Sequence, residues 1–589
     1  MQHFDGVEQE YSRSALPRHS FASTAQNDCV NRIAALPCHS AQMRLTLALL
    51  ACSAAAAADR SCEALPPLTT TRPKPSVDGG SNLFIGGARK PWDGRVAEVT
   101  SPVFDESTGS KAVLGRLAQM DATAASWAAD AASEAWDRGQ GPWPQASLKE
   151  RAAAIRAFLD ELEKTKRDEI IEVLMWEIAK TKADATKEFD RTVAFARTVV
   201  DQALQTDDTE QFGRWTGVSG VRARVRRGPV GVTLMLAPYN YPLNEMYAMM
   251  MPALLMGNPV ILKLPAIGAL AHVLTVDALQ KCLPKGVVNF VSGSGRETLP
   301  SVMQGGLVDC LGFIGGSKGA DALIKQHPHP HRLKVFSQLE GKNLGIVFAD
   351  ADLDEAVKQI LLGALSYNGQ RCTAIKLVIA EKSIAPVLVE KLSEAIEGLE
   401  RGLPWDAGVE ITPLPEPNKP QYLAELVEDA TSRGALIKNA RGGSTNGQLY
   451  HPALVYPVTP SMRLFHEEQF GPVVPVAEFE QVSEVIDVVK ASWNGQQAAV
   501  FTSDAVKAAP LVDALSTIVG RVNVNMQCAR GPDVFPFSGR RSSAMGTMST
   551  TESLRAFSVE TLVAVRDDDA GRAFGDALST RAKFLLPTA

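Results

Sequence analysis

The sequence predicts an α/β protein that contains two doubly wound parallel sheets. In one part of the chain, short apolar runs alternate with segments of helix length: "VGVTLMLAP", "PVILKLP", "GVVNFVSG" and "CLGFIGG". A second series follows with "LGIVFADADLDEAV", "KLVIAE", "VVPVAEF", "AAVFTSD" and "RVNVN". Apolar strands that alternate with helices are typical of parallel sheets covered on both faces. With 589 residues, 45% of them hydrophobic, the chain is long enough to bury more than one such core.

The first 80 residues differ from the rest of the chain because they are rich in Ser, Ala and Pro and poor in acidic residues. They contain "MRLTLALLACSAAAAADRSC", in which a basic residue precedes an apolar run and small residues, as in a secretory signal or a plastid transit segment. The run is too short to span a bilayer. It begins at Met43, which fits either a bipartite leader or a later translation start. We expect residues 1–80 to be a leader or disordered, and a plastid location is favoured slightly over a cytoplasmic one.

The elements that follow are predicted from local patterns. "NLFIGGARKPWDG", from residue 82, is typical of an opening hairpin, and two helices come next. The second helix begins with a capping box formed by Ser147 and Glu150. Its apolar face is formed by Ile155, Phe158, Leu159 and Leu162. The run "MYAMMMPALLMG" contains Pro252 and stops at a Gly-Asn pair, so it is predicted to be a buried helix rather than a membrane span.

The segment boundaries divide the body of the chain into two domains and two small additions. Residues 81–205 and 228–338 carry the first strand series, and residues 339–546 carry the second. Residues 206–227 alternate polar and apolar side chains, which predicts a protruding hairpin with an edge suited to pairing. Residues 567–589 are expected to form a charged, loosely held tail.

Charge and cysteine content exclude several classes of function. The formal net charge of −6 gives no broad basic surface, so neither nucleic acid nor a membrane is an expected partner. The four cysteines of the folded body are widely spaced and form no CxxC pair, so they predict neither a zinc site nor a disulfide framework. No metal site is predicted, and a reducing compartment suits this body. These cysteines are Cys282, Cys310, Cys372 and Cys528.

Two short motifs carry polar groups beside predicted strands. "SYNGQRCTAIKL" places Cys372 between a glycine-containing turn and an apolar strand, although a free cysteine is most often a small buried hydrophobe. In "FIGGSKGADALIK", Gly315 and Gly316 end a strand and open a helix whose N-terminus is suited to hold a phosphate. An ordinary strand-to-helix turn is the alternative for this motif. The GxGxxG fingerprint of dinucleotide-binding folds is absent.

Six motifs taken together resemble the aldehyde dehydrogenase superfamily in their order and spacing, over residues 82–566. They are most similar to its non-phosphorylating, NADP-dependent glyceraldehyde-3-phosphate dehydrogenase branch. The resemblance implies that the first domain binds the cofactor and that the second is catalytic. It also implies a C-terminal strand within residues 547–566, which builds a homodimer or homotetramer together with the hairpin. The motifs are "APYNYP", "GNPVILKLP", "FIGGSKG", "GQRCTA", "EEQFGPV" and "ARGPDVFPF".

The resemblance implies oxidation of an aldehyde through a cysteine thioester. The thiolate of Cys372 attacks the carbonyl carbon, and the side-chain amide of Asn240 and the backbone N–H of Cys372 stabilise the resulting oxyanion. Hydride then passes to a nicotinamide ring. The residues implied in cofactor binding are Lys263, Gly315, Gly316, Glu468 and Phe470.

The same resemblance implies NADP as the cofactor and a phosphorylated aldehyde as the substrate. Ala266, three residues after Lys263, provides no carboxylate that would repel a 2'-phosphate, so NADP is favoured and NAD is possible. The substrate is expected to be glyceraldehyde 3-phosphate, since guanidinium groups donate paired hydrogen bonds to phosphate. The residues implied in substrate binding are Arg191, Tyr241, Arg371 and Arg530.

One position departs from the superfamily pattern. The general base for thioester hydrolysis is normally a glutamate 34 residues before the cysteine, and here that position is Gln338 in "FSQLEGKN". A glutamine amide does not accept a proton from water near neutral pH. Glu340 lies two residues later, where an extended segment would point it to the same face, so it is a candidate replacement. Two alternatives stay open: an acylating enzyme with a thiol acceptor, and a cofactor-binding structural or regulatory protein with impaired hydrolysis.

Overall fold

A computed structural model describes residues 66–206 and 213–586. The leader-like segment at residues 43–62 lies outside the described residues. Among the described helices, none combines the length and the hydropathy that crossing a membrane requires.

Residues 66–80 belong to the fold, so the expectation that a leader or disordered segment extends to residue 80 is wrong. Strand β1 pairs in parallel with β4, and β4 pairs antiparallel with β5. Apolar side chains anchor this Pro-rich segment, because Leu68 packs against the core of the second domain and Val77 is buried. The predicted opening hairpin is confirmed as β2 and β3. The strands are β1 (Thr69–Thr70), β2 (Leu83–Ile85), β3 (Ala88–Lys90), β4 (Val96–Asp105) and β5 (Ser110–Ala118).

Three helices precede the first parallel sheet. The capping box of Ser147 and Glu150 is present at the start of the second of them, as predicted. The four apolar residues expected on its inner face are fully buried. The helices are α1 (Ala122–Trp136), α2 (Leu148–Glu177) and α3 (Lys182–Thr206).

The alternating segment forms a hairpin of β6 (Thr216–Val218) and β7 (Val221–Pro229), which are antiparallel. The hairpin begins later than predicted because α3 continues to Thr206, and residues 207–212 lie outside the described residues.

The first parallel sheet has the strand order β10-β9-β8-β11-β12. The order reverses between β8 and β11, so the carboxyl ends of these two strands open a crevice. The strands are β8 (Thr233–Leu236), β9 (Val260–Lys263), β10 (Val288–Val291), β11 (Cys310–Ile314) and β12 (Lys334–Gln338). The helices of this domain are α4 (Pro242–Leu255), α5 (Leu270–Val273), α6 (Val276–Cys282), α7 (Gly295–Gln304) and α8 (Ser317–Gln326). The apolar run around Pro252 is the buried helix α4, as predicted.

The second sheet has the order β15-β18-β19-β14-β13-β21-β22 and is parallel except at its β15 edge. Its strands, with the short ones that accompany them, are β13 (Asn343–Val347), β14 (Ile375–Glu381), β15 (Leu436–Ile437), β16 (Thr445–Asn446), β17 (Leu449–Tyr450), β18 (Ala453–Tyr456), β19 (Val473–Phe479), β20 (Asn494–Gly495), β21 (Gln497–Phe501) and β22 (Arg521–Val524). The helices are α9 (Leu353–Leu365), α10 (Ala385–Glu397), α11 (Lys419–Ser432), α12 (Arg463–His466), α13 (Val482–Ala491) and α14 (Ala505–Ser516). The predicted α/β class with two parallel sheets is confirmed.

The C-terminal residues pack against the hairpin, so the expectation of a loosely held tail is wrong. They form β23 (Arg540–Arg541), β24 (Ala544–Met545), α15 (Glu552–Ala556), β25 (Ser558–Arg566) and α16 (Asp569–Ser579). Strand β25 pairs antiparallel with β7 along its whole length, and β24 adds to the β12 edge. Helix α16 is capped by Asp568, Trp215 donates a hydrogen bond to Ser579, and Leu585 is buried.

Candidate active site

A cleft of about 1000 Å³ lies where the strand order of the first sheet reverses. One wall follows the carboxyl ends of β8, β11 and β12, and the other contains the turn before β14. Every site residue expected from the sequence lines this cleft except Lys263. Those lining it are Cys372, Asn240, Gln338, Glu340, Gly315, Gly316, Glu468, Phe470, Arg191, Tyr241, Arg371 and Arg530.

The Cys372 backbone is fixed by two hydrogen bonds to its carbonyl oxygen. Asn343 Nδ2 donates over 2.7 Å, and Lys376 Nζ donates over 2.6 Å. Burial raises the pKa of the Cys372 thiol above its usual value of 9.0, and the carboxylate of Glu245 raises that pKa further, while Lys376 lowers it. The thiol is therefore mostly protonated near neutral pH, so attack on a carbonyl requires that its proton be taken up.

Asn240 follows β8 and holds its amide against the cysteine turn. It is 4% exposed, and its Nδ2 donates to the carbonyl of Gln370, two residues before Cys372, over 2.7 Å. A carboxamide carries two N–H groups, so one donor remains beyond this hydrogen bond. Asn240 Oδ1 is buried without a hydrogen-bond partner among the described residues.

The two candidate positions for a general base are both engaged. Gln338 ends β12, is 2% exposed, and donates from Nε2 to the carbonyl of Gly546 over 3.3 Å; its Oε1 has no partner among the described residues. Glu340 accepts hydrogen bonds from Ser317, with 2.7 Å from N to Oε2 and 2.5 Å from Oγ to Oε1. Both carboxylate oxygens of Glu340 therefore accept hydrogen bonds from the first residue of α8.

The residues expected at the nicotinamide end of a cofactor lie together. A Glu468 oxygen pairs with Lys376 over 3.0 Å and accepts the Gly341 N–H over 3.2 Å, so the carboxylate is held at the cleft wall. The ring of Phe470 packs edge-on against Tyr239, with 6.1 Å between ring centroids. A nicotinamide riboside requires an acceptor for its ribose hydroxyls and an apolar surface beside its ring. The Glu468 carboxylate and the Phe470 ring provide these, so this end of the cleft fits the implied cofactor.

Lys263 lies apart from these residues. It ends β9 at the same edge of the sheet, but its Nζ donates to the carbonyl of Leu264 over 2.7 Å. The side chain is 7% exposed, and burial lowers its pKa to about 8. In this conformation its ammonium group is directed to the backbone.

Two of the three arginines expected to bind substrate, Arg191 and Arg530, are already paired with carboxylates. Asp533 accepts two hydrogen bonds from Arg191, over 2.9 and 2.6 Å. Both oxygens of Glu245 accept from Arg530 Nη1 over 2.7 Å, and Asp533 lies 3.4 Å from Arg530 Nε. Arg530 is 8% exposed, yet its Nη2 has no partner among the described residues. One buried guanidinium donor thus remains free for a ligand.

Arg371 and Tyr241 complete this end of the cleft. Arg371 Nη2 donates to the carbonyls of Leu362 and Gly363 over 2.9 and 2.8 Å. Tyr241 lies above Lys180, with 3.3 Å from Nζ to the ring centroid. This cation–π contact fixes the tyrosine ring at the cleft wall.

A buried ion pair beneath the cleft was not predicted from the sequence. Lys180 and Glu188 bond to each other with both side chains fully buried. Glu188 also accepts the N–H groups of Leu243 and Asn244, over 3.1 and 3.2 Å, at the start of α4. The pair therefore positions the loop that carries Asn240. Lys180 lies in the connection between α2 and α3, and Glu188 lies on α3, so no local sequence pattern indicates the pair.

Two further acids were missed although they stand inside or beside motifs that were recognised. Asp533 belongs to "ARGPDVFPF", and Glu245 lies three residues after "APYNYP". The neighbouring arginines suggested a phosphate site. In the structure, Asp533 accepts hydrogen bonds from Arg191, and Glu245 accepts them from Arg530.

The fold, the cleft and the similarity of the chain to known proteins together identify its class. The sequence profile of the aldehyde dehydrogenase family matches residues 95–563, and the chain belongs to that family of oxidoreductases acting on aldehydes. A relative from Streptococcus equinus, named NADP-dependent glyceraldehyde-3-phosphate dehydrogenase, is 35% identical over 423 residues, 71% of this chain and 86% of the relative. A relative of the same name from Pisum sativum is 35% identical over 417 residues, 70% of this chain and 81% of its own.

A solved structure is similar over most of its length. It is the NADP-dependent glyceraldehyde-3-phosphate dehydrogenase from Bacillus halodurans C-125 complexed with NADP, with a TM-score of 0.74 and 32% identity, covering 82% of this chain and 99% of that one. The resemblance drawn from the six motifs is confirmed at the level of the family and the fold.

Proposed function

We propose that the protein oxidises glyceraldehyde 3-phosphate to 3-phosphoglycerate with NADP, through a thioester on Cys372. The observation that carries this proposal is one cleft in which Cys372 and Asn240 stand opposite a cluster of guanidinium groups. The names of the relatives support the choice of substrate and cofactor, and NAD remains possible as the cofactor.

The nicotinamide dinucleotide, when bound, supplies the hydride acceptor. Glu468 would accept hydrogen bonds from ribose hydroxyls, and Phe470 would pack beside them. Gly315 and Gly316 leave the wall near α8 free of side chains. Ala266 places no carboxylate after Lys263, which favours a cofactor that carries a 2'-phosphate.

Side-chain and backbone groups of the protein act directly on the aldehyde carbonyl. The Cys372 thiol first loses its proton to solvent. Its sulfur then forms a bond to the aldehyde carbon as the carbonyl π bond breaks, and the carbonyl oxygen gains the negative charge. The remaining amide N–H of Asn240 and the backbone N–H of Cys372 stabilise that charge. Removing one oxyanion donor commonly reduces turnover ~10²- to 10³-fold.

The phosphate of the substrate would bind at the arginine end. Arg530 Nη2 is a buried donor without a partner among the described residues, and so is Arg371 Nε. Glu245 and Asp533 neutralise part of the positive charge, so the phosphate must share Arg191 and Arg530 with these acids. The site would therefore bind the phosphate less tightly than three unpaired arginines would.

Acyl transfer to a thiol is a second candidate for the last step. Gln338 cannot act as a base near neutral pH, and both oxygens of Glu340 bond to Ser317. General base catalysis commonly contributes ~10² to 10⁴ to such a step. A thiol such as coenzyme A that brings its own nucleophilic sulfur would take the acyl group without that base.

A steady-state assay of the full chain separates these readings. Glyceraldehyde 3-phosphate is tested with NADP and with NAD, with and without coenzyme A, and glyceraldehyde without phosphate serves as the control substrate. We expect NADPH formation that requires Cys372, and a higher kcat/KM for the phosphorylated aldehyde. Arg530→Gln should remove most of that preference and leave glyceraldehyde oxidation little changed.

Each contrary outcome points to a different conclusion. Equal kcat/KM for the two aldehydes contradicts phosphate recognition. NADPH formation that stops after a burst and continues only when coenzyme A is added supports the acylating reaction. Cofactor binding without oxidation of any aldehyde would favour a structural or regulatory role.

A further inference from the structure

The N-terminus of α8 lies at the wall of the cleft. Gly315 and Gly316, which precede the helix, line that wall, and Gly316 is the N-cap residue. A glycine provides no side chain to accept the free N–H groups of the first turn. The partial positive charge of a helix N-terminus attracts an anion. This ten-residue helix therefore begins with donors that its own cap leaves unsatisfied.

A carboxylate from a distant part of the sequence fills this position. Glu340, 23 residues after Ser317, accepts both the backbone N–H and the hydroxyl of that serine. The Ser317 N–H belongs to the first turn of α8. The anion at this helix N-terminus is thus part of the protein.

A second observation indicates that a ligand belongs at this wall. Gln338 Oε1 is buried, 2% of the residue being exposed, and has no hydrogen-bond partner among the described residues. The residue lines the same cleft, and its backbone carbonyl accepts the Gly315 N–H over 3.2 Å. A buried acceptor without a partner is costly, so a hydroxyl or amide donor of a bound dinucleotide, rather than its phosphates, would be favoured there.

We infer that Glu340 is a resident anion that a phosphate of the cofactor must displace from the start of α8, and that it thereby sets the affinity for the cofactor. The inference rests on the proposed function, because it takes the cleft to bind a nicotinamide dinucleotide. A carboxylate and a phosphate cannot share the N–H and hydroxyl of Ser317, and their like charges repel each other. Cofactor binding is therefore an exchange of one anion for another.

Direct binding measures this exchange without turnover. NADPH is titrated into the wild type and into Glu340→Gln, and cofactor fluorescence and heat are recorded. Because a lost helix cap spans about 2- to 30-fold in an equilibrium constant, we expect Glu340→Gln to bind NADPH about 2- to 30-fold more tightly. Without cofactor, the same variant should unfold at a lower temperature, because the helix has lost its anion.

A matched control separates this effect from general loss of stability. Asp504 caps α14 through the N–H groups of Val506 and Lys507, and it does not line the cleft. Asp504→Asn should lower the unfolding temperature and leave NADPH affinity unchanged. Inorganic phosphate serves as a small probe: at constant ionic strength it should raise the unfolding temperature of Glu340→Gln more than that of the wild type.

The outcomes are distinct. Unchanged or weaker NADPH binding by Glu340→Gln overturns the inference and leaves Glu340 as a structural cap or a cofactor ligand. Failure of the wild type and of every variant to bind a nicotinamide cofactor instead contradicts the proposed function itself. If Glu340→Gln does not fold, Glu340→Asp keeps the charge but shortens its reach, and tighter NADPH binding by this variant carries the same meaning.

Discussion

The Cys372 thiol stands among carboxylates, and this sets its reactivity. Burial is the main cause of its raised pKa, and the Glu245 carboxylate is the next, whereas Lys376 works in the opposite direction. Glu245 also bonds to Arg530, so a single side chain affects both the nucleophile and the substrate end of the cleft. A change at Glu245 should therefore be visible in two independent properties.

We predict that Glu245→Gln lowers the pKa of Cys372. Removing a nearby negative charge makes the thiolate less costly, so the thiol deprotonates at lower pH. The rate of inactivation by iodoacetamide, measured against pH, should rise at lower pH than in the wild type. Glu480→Gln, which removes an exposed carboxylate paired with Lys382, is the control and should leave the profile unchanged. A profile that stays in place or moves to higher pH contradicts the assignment.

At the scale of elements, a buried carboxylate joins α2 to the loop before α5. Glu177 ends α2, is 1% exposed, and accepts the N–H groups of Gly268, Ala269 and Leu270 over 2.6, 2.9 and 3.1 Å. Burial raises its pKa to about 7, although the three hydrogen bonds lower it. The folded protein therefore holds this proton at pH values where the unfolded chain has lost it.

We predict that this carboxyl group reduces stability as the pH rises. Because its folded pKa of about 7 lies above the ordinary glutamate value of 4.5, its contribution is fully present below pH 4.5 and is lost as pH rises through about 7. The shift corresponds to about 3 kcal/mol in the free energy of unfolding. Urea unfolding of the wild type and Glu177→Gln is compared between these pH values, and the free energy of unfolding of the wild type relative to that of the variant should fall as the pH rises. If the free energies of unfolding of the two proteins changed in parallel with pH, the assignment to Glu177 would be contradicted.

Helices and strands with a local apolar pattern could be predicted from the sequence. Elements that are stabilised by contacts with residues far away in the chain could not. The strands from β8 to β11 are apolar runs, and the capping box of Ser147 and Glu150 is local. Helix α16 is rich in charge, and its contact with Trp215 joins residues far apart in the chain. The short strand β1 has only two residues, so no periodicity indicates it.

The site shows the same division. The resemblance in motif order and spacing implied that Cys372, Asn240 and the arginines share one site, and they line one cleft. They come from different elements, since Asn240 follows β8, Cys372 precedes β14 and Arg191 lies on α3. The pairing of Arg530 with Glu245, and of Glu340 with Ser317, depends on side-chain directions that no motif specifies. Lys263 lies at the expected strand end, yet its ammonium group bonds to the chain itself.

At the scale of the whole molecule, the sheet β25-β7-β6 presents apolar side chains to solvent. Val218 and Leu562 are 59% and 60% exposed. Apolar residues on a short sheet with an open edge are suited to pairing with a second copy of the chain. A homodimer or homotetramer built through this sheet stays our prediction.

We expect Leu562→Arg to dissociate that assembly. A charge placed in an apolar interface must be desolvated without a partner, which opposes association. Size-exclusion chromatography with light scattering should report a smaller mass for Leu562→Arg than for the wild type. Val387→Arg changes an exposed residue on α10 and should not alter the mass. A wild-type monomer would refute the prediction.

The plastid location is tested by the N-terminal segment alone. Since residues 66–80 belong to the fold, a leader would end before residue 66. Residues 1–65 fused to a fluorescent protein should direct it to plastids, and a cytoplasmic signal would contradict this location.

In the proposed reaction, the sulfur of Cys372 bonds to the aldehyde carbon, and the substrate passes through a thioester on this residue. This reaction is tested most directly by mixing a high concentration of the protein with glyceraldehyde 3-phosphate and NADP, and following NADPH and the intact mass together. We expect a burst of NADPH matched to the amount of protein, with an acyl adduct on the peptide that contains Cys372. Unchanged NADPH formation by Cys372→Ser, or the adduct on another residue, would contradict it.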